Sequence, residues 1–355
     1  MNPSETQNRV NEFDGLRALA VTLVFLYHYE ESMFKYGWAG VDLFFAISGF
    51  VITLQCHTLI SSRTKIEFIK EFYIRRTTRI FPLYYGLLLA LLVAAFGADL
   101  LLNSGALGSI SVSADSLWKN ALYLTNLYIV ADGYQSVAYG ITWSLAVEEH
   151  FYLIYPFLFV KYRNKKFTLV LVLCILLTIA LRLFLSFDME FPGRLYYLTF
   201  SRFDGLLFGC LAAHLYLKGF RHKMIPILAV VLSVTAVYLT ITYKFNSPIM
   251  YQVGYSVIPA ATATLMFWIS DARPVLLSKL LASRPMVFIG SISYGMYLFH
   301  IWIIKLGELI EARVILSRVF GENLAFWLLM LFEFTITVAI SYASFQFFEK
   351  ASRKY

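Results

Sequence analysis

The chain has 355 residues, 59% of them hydrophobic and 17% aromatic but only 15% charged, and its mean hydropathy is +0.67. A soluble domain carries about 25% charged and roughly 45–50% apolar residues, so this composition excludes a soluble enzyme. The aromatic bulk and low charge also exclude a disordered chain.

A helix that crosses the hydrocarbon of a bilayer needs about 20 largely apolar residues. Ten stretches meet that requirement: 14–31, 37–57, 82–102, 141–160, 167–187, 196–217, 225–243, 250–270, 286–306 and 325–348. The first is not a cleavable leader, because it holds Asp14, Arg17 and His28 and ends in Glu30-Glu31 rather than a small-residue cleavage site. The stretch 116–130 is too short to span and reads as an interfacial or re-entrant helix. The segment 103–140 is rich in Ser, Gly, Asn and Tyr.

The 30 Lys and Arg residues, against 22 Asp and Glu, are unevenly placed. Alternate connections carry Arg63 to Arg79, Lys161 to Lys166, Lys218 to Lys223, Arg273 to Arg284, and Lys350 to Lys354, with Arg9 at the start. The other connections hold only Lys35, Lys119, Arg194, Lys244, Lys305, Arg313 and Arg318. The basic side is the cytoplasmic one by the positive-inside rule. The expected fold is therefore an all-α polytopic membrane protein of about ten transmembrane helices, N-in and C-in. It forms a single domain over 1–355 with no appended soluble domain, in the inner (cytoplasmic) membrane. This placement accounts for the basic excess without nucleic acid. Cys56, Cys174 and Cys210 lie in or beside apolar runs without CxxC spacing, so neither a disulfide framework nor a metal site is expected.

Ionisable groups inside spans are expensive and mark functional sites by default. Arg17 and His28 are eleven residues apart, which on a helix returns to within roughly 20° of one face at a separation of about 16 Å. His28, Glu148 and His300 fall at similar depth on three helices. An imidazole and a carboxylate at one depth suit general-base catalysis, the carboxylate holding the tautomer of the ring. Arg76 and Arg79, neighbours at i and i+3 just before a span, read either as a positive-inside anchor or as a phosphate clamp. Asp14, Asp42, Arg182, Arg202 with Asp204, and Glu333 are further intramembrane charges.

The residues resemble the acyltransferase-3 family of integral-membrane O-acyltransferases. The resemblance runs from Phe13-Asp14-Gly15-Leu16-Arg17-Ala18 and the Arg17-to-His28 spacing through Gly40-Val41-Asp42 to Ser48-Gly49-Phe50. It continues in Arg76-x-x-Arg79-x-x-Pro82, Thr142-Trp143-Ser144 to Glu148-Glu149-His150-Phe151-Tyr152, Arg202-Phe203-Asp204-Gly205, Ser293-Tyr294-Gly295 to His300, and Phe348-Glu349. One departure is visible: the family's closing Glu-Arg-Pro is here Glu349-Lys350-Ala351. The resemblance implies transfer of an acyl group, usually acetyl, from cytoplasmic acyl-coenzyme A to a hydroxyl of a cell-surface or lipid-linked glycan. Arg17 and His28 would be essential, and Arg76 with Arg79 would help to hold the coenzyme.

Spacing and resemblance meet in a relay. Coenzyme phosphates dock on Arg17, Arg76 and Arg79, and the thin pantetheine arm threads inward. His28 then acts as general base, with an acyl-imidazole route as the alternative, beside Glu148. Tyr152, Ser48 and amides near Gly49 are candidate oxyanion donors. Asp14, Asp42, Arg202, Asp204 and His300 are candidates for supporting or substrate contacts. The competing class is a transporter or flippase lining its path with buried His, Glu and Arg. It lacks support from any inverted repeat or matched broken helices.

Overall fold

The computed structural model describes residues 10–102, 114–136, 139–164, 166–188 and 192–349, and among them there is no strand. The helices are α1 (Asn11–Tyr29), α2 (Gly40–Ile60), α3 (Lys65–Leu102), α4 (Ala114–Ala121), α5 (Thr125–Asp132), α6 (Trp143–Tyr162), α7 (Phe167–Asp188) and α8 (Thr199–Leu217). They continue as α9 (Ile225–Thr242), α10 (Tyr255–Ala272), α11 (Val275–Leu281), α12 (Arg284–Ser291), α13 (Ser293–Leu309), α14 (Ala312–Phe320) and α15 (Glu322–Ser344). The expectation of an all-α protein holds. Arg9, Lys165, Lys350, Arg353 and Lys354 of the charge pattern, and 103–113 and 137–138 of the polar segment, lie outside the described residues.

By length and composition alone, six of the described helical stretches can cross a membrane: Gly37–Ile60, Lys65–Ala94, Phe167–Phe187, Ile225–Thr242, Met250–Ala272 and Glu322–Phe348. The pair α12 and α13, bent by 74° at Ile292, makes a seventh if it counts as one span. Helices α1, α6 and α8 have 19, 20 and 19 residues. Their sequences carry Asp14, Arg17, Glu148, Glu149, Arg202 and Asp204, the kind of groups that lower hydropathy.

The boundaries differ from the sequence expectation in three places. The stretch 82–102 is the second half of one 38-residue helix that begins at Lys65 and keeps Pro82 inside it, so the arginine run is helical and continuous with the apolar run. The stretch 116–130 is two short helices, α4 and α5, separated where Tyr123 takes a left-handed backbone conformation (φ 56°). The stretch 286–306 is broken into α12 and α13. Gly290 sits at that break, and a Cβ there would lie 1.8 Å from the Asp14 carbonyl oxygen, so only glycine lets α12 pack so closely on α1.

Burial is inverted relative to a soluble protein. The apolar window of α9 is only 17% buried and that of α7 22%, while those through α2 and α10 are each 56% buried. Leu177, Phe184, Phe187 and Val234 face outward, where lipid solvates them. Arg182, Arg202, Asp42 and Asp204 lie inside, each at most 1% exposed. The α2–α8 contact at the centre rests on glycine at both sides: a Cβ on Gly49 would meet the Leu206 carbonyl oxygen at 1.9 Å, and one on Gly209 the Ala46 oxygen at 2.1 Å. Small residues that let backbones approach are how helices associate without water to drive them.

Candidate active site

At the end of the bundle where α1 finishes and α2 begins, His28 on the last turn of α1 is half-buried. Its Nδ1 is 2.9 Å from the Val24 carbonyl oxygen and 3.2 Å from Nε2 of His300 on α13. The two ring centroids are 4.9 Å apart. His300 is 1% exposed, and its Nδ1 faces the carbonyl oxygens of Tyr297 at 2.8 Å and Met296 at 3.2 Å.

Tyr297, one turn before His300, ties α13 to α6. Its hydroxyl donates to the Ile141 carbonyl at 2.7 Å and accepts from Ser144 at 2.7 Å. Phe44 of α2 meets the same ring edge-on at 6.2 Å. One turn farther along both α6 and α2 come Glu148 and Ser48. Ser48 donates to Oε1 of Glu148 at 3.0 Å, and Tyr152 donates to Oε2 at 2.9 Å. Behind them the guanidinium of Arg76 lies 5.6 Å from the centre of the Tyr152 ring, and the charges of Arg76 and Arg79 act on Glu148.

The result is a column of polar groups through the bundle: His300 and His28, then Tyr297 and Ser144, then Glu148 and Ser48, then Tyr152 and Arg76. Its members fall into two rows. His28, Ser48, Glu148 and Arg79 retain accessible surface, whereas His300, Tyr152 and Arg76 behind them are buried. The buried His300 and Tyr152 touch the accessible His28 and Glu148.

The structure parts two residues that the sequence reading joined. Both oxygens of Glu148 take hydrogen bonds from Ser48 and Tyr152, so the partner of the His28 ring is His300 and not this carboxylate. Depth is also different: Tyr297, one turn before His300, is level with Ser144, and Glu148 lies a further turn along α6, so the carboxylate is not at the level of the two imidazoles. Ser48 and Tyr152, read as oxyanion donors, have their hydroxyls committed to Glu148. Arg17 is bonded to Asp14 at 2.7 Å on the same face of α1 and is half-buried.

Four of the remaining charges make two buried ion pairs. Arg202 pairs with Asp42 across α8 and α2, not with its near neighbour Asp204. Its guanidinium lies 4.2 Å from the centre of the Tyr255 ring and 5.0 Å from that of Tyr196. Asp204 pairs instead with Arg182 of α7 through two bonds of 3.0 and 2.9 Å, and accepts from Ser256 of α10 at 2.6 Å. The two pairs fasten α2, α7 and α8 together, and the Ser256 hydroxyl ties in α10. Sequence reasoning gave Tyr297 and Ser144 no role. Their spacing to His300 and Glu148, at i+3 and i+4, was the available signal.

The chain is 31% identical over 312 residues to the peptidoglycan O-acetyltransferase OatA of Listeria monocytogenes, covering 84% of this chain and 50% of that protein. It is 28% identical to the putative peptidoglycan O-acetyltransferase YrhL of Bacillus subtilis, covering 96% of this chain and 54% of that one. It is 26% identical to the O-acetyltransferase OatA of Staphylococcus aureus, covering 96% and 57%. The chain thus spans about half the length of the curated relatives it matches. No solved structure matches it. The family model described as an acyltransferase domain matches residues 10–345, and the chain belongs to the acyltransferase-3 family.

Proposed function

We propose that this protein is a membrane O-acyltransferase that moves an acetyl group from cytoplasmic acetyl-coenzyme A to a hydroxyl of a cell-surface or lipid-linked glycan, of the peptidoglycan class named for its relatives. In this reading the chain crosses the cytoplasmic membrane ten times. The six apolar helices and the bent pair are joined by α1, α6 and α8, and both ends face the cytoplasm. The observation that carries the proposal is the polar column, with a half-buried imidazole at one end and arginines toward the other.

The arginines, Glu148 and His28 divide the work. Arg17 and Arg79, both half-buried, meet the donor's phosphates, for which the guanidinium fork is suited. Arg76, buried against Tyr152, keeps positive charge beside Glu148. Glu148, held from behind by Tyr152, orients the Ser48 hydroxyl along the path of the thin pantetheine arm. The acceptor hydroxyl gives its proton to Nε2 of His28 as its oxygen attacks the thioester carbon. Collapse of the tetrahedral intermediate breaks the carbon–sulfur bond. The coenzyme A thiolate leaves and takes the proton back from His28, leaving the new ester and free thiol.

Purified protein in nanodiscs is tested for stabilisation against heat by acetyl-coenzyme A, comparing wild type with the His28→Ala and Arg79→Ala variants. Binding should survive the loss of His28 and weaken with the loss of Arg79. A well-folded wild type that ignores acetyl-coenzyme A and longer acyl donors would instead favour a transporter. Mass spectrometry after incubation with donor alone should find no acetyl group on His28, because a general base carries none.

A further inference from the structure

The hydrogen-bond geometry around His300 fixes more than its own position. Both neighbours of its Nδ1 are carbonyl oxygens, at 2.8 and 3.2 Å, and a carbonyl only accepts. In the neutral ring the hydrogen must therefore sit on Nδ1, which leaves Nε2 of His300 with a bare lone pair. That lone pair faces Nδ1 of His28 at 3.2 Å, and the same Nδ1 faces the Val24 carbonyl oxygen at 2.9 Å. His28 Nδ1 thus has two acceptors and must carry the hydrogen it shares between them. Nε2 of His28 is the nitrogen left with a lone pair, on the ring that keeps accessible surface. His300 is 1% exposed and cannot meet a substrate directly.

We infer that His300 is the positioning residue of the acyl-transfer site: a second imidazole, locked by two backbone carbonyls, that fixes the tautomer and ring angle of His28 in the role usually given to a carboxylate. A buried carboxylate would bring a full negative charge into the interior of the bundle, whereas an imidazole held by backbone carbonyls supplies a neutral acceptor. When His28 takes the acceptor's proton on Nε2, its Nδ1–H becomes a cationic donor. The His300 lone pair and the Val24 carbonyl then share that charge, and no proton needs to leave His28 until the thiolate departs. The Tyr297 hydroxyl, anchored on α6, keeps the carbonyls that hold His300 in register.

The inference rests on the acyl-transfer reading, and the test separates the two. The full chain, labelled with 15N-histidine in nanodiscs, is read by solid-state NMR, with the His28 signals assigned by their loss in His28→Gln. Wild type should show His28 protonated at Nδ1 and bare at Nε2, and His300→Ala should broaden or shift the Nδ1 signal. His28 protonated at Nε2 would overturn the inference whether or not the protein is an enzyme. Turnover is measured as release of coenzyme A thiol from acetyl-coenzyme A with a muramyl disaccharide as acceptor. His300→Ala should lower kcat by about tenfold or more with KM within about twofold, the scale of loss for an orienting partner. His300→Gln, whose amide oxygen can take the place of the lone pair, should recover part of that loss. A folded His300→Ala with unchanged kcat, or a Gln variant no better than Ala, would overturn the positioning role. If His28→Ala turns over as fast as wild type, the acyl-transfer reading fails while the NMR arm still decides the tautomer.

Discussion

Glu148 is held at both oxygens, by Ser48 from α2 and by Tyr152 one turn along its own helix, and Arg76 lies behind the second donor. Tyr152→Phe would keep the ring against Arg76 and remove only the hydroxyl, leaving one carboxylate oxygen without its donor. Hydrogen bonds to charged groups contribute about 1.5–3 kcal/mol, so this variant should lose about that much stability and unfold at a lower temperature, while a Ser48→Ala change costs less. Thermal unfolding in nanodiscs checks both. The same residues show how far sequence reaches at this scale. Helical rise alone put His28, Glu148 and His300 at one level; His28 and His300 do meet, but Glu148 lies one turn beyond the Ser144–Tyr297 contact and so at a different level. Rise counted from an expected span end carries the error of that end, and it contains no azimuth. The i+4 step from Ser144 to Glu148 turns the carboxylate toward α2, and that partner helix is known only once the bundle is assembled.

Helices that approach closely do so where side chains are absent. Gly49 and Gly209 face each other's helices with no room for a methyl group, because the nearest atoms are backbone carbonyls that cannot swing aside. Gly49→Val should therefore force α2 and α8 apart and destabilise the protein by about 1–3 kcal/mol or more, the range for overpacking a tight core. Val at Gly86, where a Cβ would meet nothing within 4 Å, should be tolerated. Thermal unfolding of the two variants side by side gives the comparison. Apolar run length located α2, α7, α9 and α10 to within a few residues, because a long uninterrupted greasy stretch has few other ways to satisfy its backbone. It failed at α3, where the span was expected to begin at Pro82, just after Arg75, Arg76 and Arg79, and the helix begins at Lys65. It failed again at α12 and α13, where a break lies inside an apolar stretch and hydropathy is blind to direction.

The assembled bundle keeps two ion pairs at its centre and its hydrocarbon at the rim. Asp42→Asn would leave Arg202 buried and uncompensated, a change that costs about 3–5 kcal/mol when one partner of a buried pair is lost. Asp42→Leu combined with Arg202→Met should recover much of that loss, and denaturation in a mild detergent compares the two. Orientation is open to a direct measurement on cells. A cysteine introduced at exposed Ser62 should react with a membrane-impermeant maleimide only after permeabilisation, and one at exposed Gln135 should react on intact cells. The reverse pattern would overturn the N-in orientation that the basic connections predict. The outward face of the rim, Leu177, Phe184, Phe187 and Val234 among others, has a different consequence. A surface pressed against fluid lipid must be oily but need not match any partner's shape. In a deep mutational scan these positions should exchange freely among Leu, Ile, Val and Phe and reject only charge. Over generations the rim of this bundle is free to wander in sequence while its centre stands still.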